Sequence, residues 1–90
     1  MKIGDLVLTI NIFDFQRTYY NFWREADKYD LHRYQTFKVY SDQLLIVHTP
    51  PFDIHLDHTD HGKRIETHIR VIHPEHGIIR GFANWVEEAI

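Results

Sequence analysis

Ninety residues, 43% hydrophobic and 14% aromatic, fit one small domain (1–90) whose core leans on aromatic rings, because each ring removes a large area from water. The absence of cysteine excludes disulfides, thiolate zinc sites and cysteine nucleophiles. A formal charge of −3 disfavours nucleic acid, which asks for a basic balance, although protonating all 8 histidines would turn that charge positive.

The opening, Met1-Lys2-Ile3-Gly4-Asp5, reaches an acidic residue at once, which is not the pattern of a signal peptide. Asp5–Ile10 alternates as a strand, with Leu6, Leu8 and Ile10 on one face. The period then changes. Ile12, Phe15, Tyr19, Phe22, Ala26 and Tyr29 recur at steps of three and four, which predicts a helix from Ile12 to Asp30 with Asn11 as its N-cap. Its opposite side carries Arg17, Asn21, Arg24 and Lys28. From Tyr34 the period returns to two: a strand to Tyr40, a turn at Ser41-Asp42, and a buried strand from Gln43 to Thr49. Its apolar run, Leu44–Val47, is too short to span a bilayer, so no membrane association is expected, and the lack of cysteine fits an expected cytoplasmic setting. Pro50-Pro51 belongs at a bend or an edge. Phe52–His58 and Lys63–His73 read as strands, Pro74-Glu75-His76-Gly77 as a hairpin loop, and Ile78–Ala83 as a returning strand. A short closing turn follows from Asn84, with Trp85 and Val86 plugging the end of the core.

The stretch DIHLDHTDHG (53–62) has the residue types of a metal site. A four-residue loop, Thr59–Gly62, would set His58 opposite Lys63, Leu56 opposite Ile65, Ile54 opposite Thr67 and Phe52 opposite Ile69. That register gathers the apolar side chains on one face and sets Asp57 against Arg64, His55 against Glu66, and Asp53 against His68 on the other. Amphipathic alternation therefore accounts for the histidines without chemistry. The alternative is a zinc or other divalent metal site at His55, Glu66 and His68, two imidazoles and a carboxylate on one face. Spaced ligand motifs and phosphate-cradling loops are missing, and the single serine, Ser41, sits in a turn signal, so no enzymatic activity and no cofactor are expected.

Tyr20, Trp23 and Arg24 fall off the apolar stripe of the predicted helix. Aromatics beside arginine have the composition of a protein-contact surface. The same mixture can stack on single-stranded bases, but few basic residues support that use, so a protein partner is favoured.

KIGDLV (Lys2–Val7) and HIRVIHPEHGIIRGFANWVEEAI (His68–Ile90) resemble the first strand and the ending of small SH3-like barrel proteins found among bacteriophage reading frames. The likeness covers about a third of the chain and implies a curled or barrel-like antiparallel meander and an accessory protein of viral origin, with no shared active site to carry over. The expected architecture is α+β: a curled or SH3-like antiparallel meander with one helix inserted after the first strand. The expected function is a small non-enzymatic protein-interaction module.

Overall fold

Alternation with period two organises the described part of the chain. The computed structural model describes residues 1–10, 19–25, 35–58 and 62–89. These form seven strands: β1 (Leu6–Thr9), β2 (Tyr19–Arg24), β3 (Gln35–Tyr40), β4 (Leu44–His58), β5 (Gly62–His73), β6 (Gly77–Phe82) and β7 (Val86–Glu88). A single 3-10 turn, Ala83–Trp85, joins the last two. All pairings are antiparallel, in the order β3-β2-β6-β5-β4-β1-β7, and the sheet curls into a half-barrel. No α-helix occurs among the described residues, and none of their helices is long and apolar enough to cross a membrane.

The predicted helix is overturned where it can be judged. Tyr19–Arg24 is a strand that pairs along its length with β3, from Tyr19 opposite Tyr40 to Arg24 opposite Gln35. Tyr20 and Phe22 are fully buried while Asn21 is exposed, a strand's alternation. The segment YYNFWR is dense in aromatics, which suit a pleated half-buried surface better than a helix. The rest of the predicted helix, 12–18 and 26–30, lies outside the described residues.

The core forms on the concave side from Val7, Tyr20, Phe22, Val39, Leu45, Val47, Ile69, Val71, Ile79 and Val86, with Ile10, Phe37 and Trp85 packed against them. In β1 this inverts the expected face, because Val7 and Thr9 are buried and Leu6 is 47% exposed. Thr9 can face inward because its polar groups are met by the turn after β3. Its hydroxyl donates to the Tyr40 carbonyl and accepts the Gln43 N–H at 2.9 Å, while its own carbonyl accepts the Asp42 N–H at 2.8 Å. Asp42 takes a positive φ of 61°, as the tight turn requires. Thr9→Val keeps the shape but leaves two part-buried backbone groups, the Tyr40 carbonyl and the Gln43 N–H, without that partner. It is expected to lower unfolding free energy by about 1–3 kcal/mol in urea titrations, and an unchanged midpoint would show that the hydroxyl is dispensable.

The hairpin of β4 and β5 is antiparallel as expected, but its register is displaced by one residue. His58 pairs with Gly62, Leu56 with Arg64, His55 with Ile65, Ile54 with Glu66 and Phe52 with His68. Gly62 adopts φ +79°, so it closes a three-residue connection instead of ending a four-residue one. β4 runs unbroken through Pro50-Pro51. Register shifts between Val47 and Thr49 and between Thr49 and Phe52 absorb the missing donors, and β1 pairs only with Leu44–Ile46 on the other side. Beyond Phe52 and His68, neither β1 nor β6 accompanies the hairpin, which continues as a two-stranded ribbon among the described residues.

Candidate functional site

The convex side of the sheet carries the chain's unusual surface. Residues paired directly across antiparallel strands share a face, so the register maps it. Leu6 pairs with Ile46, Ile46 with Ile72, and Ile72 with Ile78, giving an aliphatic row across β1, β4, β5 and β6. Leu44, opposite Leu8, widens the row. Leu6, Leu44, Ile46, Ile72 and Ile78 are 38–53% exposed, although they are contiguous. Together they present a few hundred Å², the size at which an exposed apolar patch is often functional.

Two residues along β5 and β6 on the same side, chemistry replaces grease. Arg70 and Arg80 stand directly opposite each other, a pairing of like charges that costs stability unless an anion joins them. Glu25, just after β2, supplies it. Its Oε1 lies 2.8 Å from Arg70 Nε, 2.8 Å from Arg70 Nη2 and 2.8 Å from Arg80 Nη1. Both guanidiniums lie over the Phe52 ring, at 4.5 and 5.0 Å from its centroid. Burial alone would raise the Glu25 pKa, but hydrogen bonds and charge from Arg80 and Arg70 outweigh it and hold the carboxyl below its ordinary value.

Next along the face lies His68, buried among Trp23, Phe52 and Phe82 with ring centroids 5.4, 6.1 and 5.0 Å away. Arg80 Nε donates to its Nδ1 at 2.8 Å, so a neutral ring carries its proton on Nε2, toward Glu66 Oε1 at 3.4 Å. Burial, then the Arg80 charge, lower the His68 pKa against the opposing pull of Glu66. The Glu66 contact therefore acts in neutral solution as a long hydrogen bond, not as an ion pair.

A second histidine is buried at the turn after β5. His73 Nδ1 accepts the backbone N–H of Glu75 at 3.0 Å and of His76 at 3.3 Å, and its Nε2 lies 2.8 Å from the Gln43 side-chain amide. The His76 ring stacks between His73 and Phe37, at 4.4 and 4.3 Å. Burial, then His76, lower the His73 pKa, while Glu75 opposes the shift. This histidine fastens a hairpin.

The sequence-predicted site residues scatter. Tyr20 is fully buried, its hydroxyl donating to the Ile10 carbonyl at 2.7 Å and its ring 5.2 Å from Trp85. Trp23 faces the convex side, opposite Arg80. Arg24 is exposed at the end of β2, donating to the His76 carbonyl at 2.7 Å and lying over Phe37 at 4.9 Å. The three do not form one surface, because successive strand residues point to opposite sides. Of the other set, Glu66 and His68 lie on the convex side with Phe52, Ile54 and Leu56, whereas His55 pairs with the exposed Ile65 on the concave side. The one-residue shift in register separates them, and no group of three or more His, Asp or Glu placed to hold a metal occurs among the described residues. Sequence reading missed Arg70, Arg80 and Glu25. Loop length hid the first two: a four-residue loop Pro74–Gly77 sets Arg70 opposite Gly81, whereas Gly77 pairs with His73, and this three-residue connection brings Arg70 opposite Arg80.

No family model matches the chain, and no curated protein or solved structure matches it either.

Proposed function

We propose that the protein is a small non-enzymatic accessory module that binds another protein on the convex face of its sheet. The occupant is a segment carrying aliphatic side chains next to an acidic one. One observation carries this reading: the exposed row Leu6–Ile46–Ile72–Ile78 runs beside the Arg70–Arg80 pair. Apolar area supplies the non-directional attraction, and the arginines at its border select a partner of opposite charge and fix its register. Trp23, beside Arg80, belongs to the same contact surface, which keeps one of the residues marked by composition alone.

The test is a displayed peptide library selected on the folded protein. Selected peptides are expected to be rich in Leu, Ile or Val near Asp or Glu, and to lose at least about tenfold in affinity on a variant with Ile46→Lys and Ile72→Lys that keeps its native near-ultraviolet dichroism. Both positions are already partly exposed, so lysine there costs the fold little. Peptides that bind the double variant as tightly as the parent would place the docking surface elsewhere.

A further inference from the structure

Glu25 fills the space between the two arginines incompletely. Only its Oε1 is engaged, by three nitrogens of two guanidiniums. Arg70 Nη1 and Arg80 Nη2 have no partner among the described residues, nor does Glu25 Oε2. A guanidinium fork matches a carboxylate best when both oxygens are used, one against each parallel N–H, so the site has more donors than its present occupant employs. It is also built in advance. Phe52 supports both guanidiniums from one side, and the buried His68 holds Arg80 through its Nε, leaving the Nη edge turned to Glu25. Arg70 and Arg80 keep 27% and 16% of their side-chain surface in solvent, and Glu25 keeps 41%. The occupant is therefore the most exposed member of the cluster, and the arginines beneath it are fixed.

The geometry points to Arg70 and Arg80 as a carboxylate-binding site for an acidic side chain or C-terminus of a protein partner, with Glu25 as an internal stand-in that the partner displaces. This inference rests on the convex face being the docking surface and names the group that the partner brings to its basic border. Glu25 competes because it is tethered, so a free acid binds weakly until that competitor is removed. In the bound state the displaced Glu25 carboxylate turns to water and the incoming one presents two oxygens to two guanidiniums.

The experiment uses the Glu25→Gln variant of the full chain, labelled with nitrogen-15, with N-acetyl-triglutamate as the probe. N-acetyl-triglutamine and inorganic phosphate serve as comparisons at matched ionic strength. Triglutamate is expected to shift the Arg70 and Arg80 Nε–H resonances and the Trp23 indole N–H saturably, at least about tenfold more tightly than in the parent protein. Triglutamine should leave them in place, and adding Arg70→Gln should abolish the response. Equal affinity in the parent and in Glu25→Gln, or no movement of the arginine resonances, overturns the inference. Tighter binding of phosphate than of triglutamate overturns the assignment to a carboxylate. Should Glu25→Gln unfold at low salt, recovery of its native spectrum with triglutamate but not triglutamine supports the site, and no recovery with either overturns it. The probe has no aliphatic side chain, so it reads the arginine pair alone. Library peptides that need Ile46 and Ile72, together with silence toward triglutamate, would remove this inference and leave the docking reading standing.

Discussion

Gly81→Val is expected to cost more than about 3 kcal/mol, above the usual range for overpacking, and to leave little native protein in a chain of this size. Gly81 lies in β6 beneath two rings, and a Cβ there would stand 2.6 and 2.7 Å from Phe22 Cε2 and Cδ2 and 2.9 Å from Trp85 Cε3. Those separations are far inside van der Waals contact. Phe22 has little room to retreat, since it is fully buried, and the half-buried Trp85 is packed against it and against Tyr20, with ring centroids 5.2 Å away in each case. Here glycine is a matter of space, not of backbone freedom. The check is a double-mutant cycle with alanine in place of valine. Phe22→Ala alone should cost about 3–5 kcal/mol, as large-to-small core changes do. Gly81→Ala should then add far less than it does in the parent, because the cavity accepts the new methyl group. Additive costs in urea titration would mean that the rings are not what the methyl group meets.

The second large effect is loss of stability in mild acid. His68 and His73 both have folded-state pKa values held below the ordinary 6.5, with burial the leading cause in each. As pH falls through 6.5 the unfolded chain takes up these protons first. It then binds more protons than the folded chain, so stability is fullest above that value and declines below it, until the folded imidazoles are also charged. Within that window the slope reaches at most about 1.4 kcal/mol per pH unit for each histidine. The structural cost differs between the two. A proton on His73 Nδ1 would face the two backbone N–H groups that now donate to it, and one on His68 Nδ1 would face the Arg80 guanidinium. Glu25 acts in the same direction in a lower window. Its pKa is held below 4.5, so its contribution is present above that value and is lost as pH falls further. Denaturant midpoints between pH 7.5 and 4.5, together with imidazole Cε1–H titrations, check this. Midpoints for both rings at or above 6.5, or a stability that holds level across the interval, would refute it.

The sheet was legible from alternation, and the departures have local causes. The segment QLLIVHT is apolar on both faces, which reads as a strand buried on two sides. In the fold Leu45 and Val47 are buried, while Leu44 and Ile46 face outward on the convex row. That row was therefore half visible, but assembling it needed the pairings of four strands at once. Tyr19 and Phe22 satisfy a helical spacing as well as Tyr20 and Phe22 satisfy a strand's, and only the pairing with β3 decides between them. Inward placement of Thr9 escaped a reading based on hydrophobicity, because its burial follows from hydrogen bonds to a turn some thirty residues away. The histidine-rich hairpin shows how little separates right from wrong in a sheet. One residue fewer in a connection moves His55 to the other side from Glu66 and His68.

The two-stranded ribbon beyond Phe52 and His68 divides the molecule mechanically. Among the described residues, 53–58 and 62–67 pair as strands only with each other, whereas Ile69–Ile72 is flanked by β4 and β6 along with the aliphatic row. Opening of the paired segments 53–58 and 62–67 therefore breaks few bonds and stops where the third strand begins, leaving the aliphatic row on the better-braced part of the sheet.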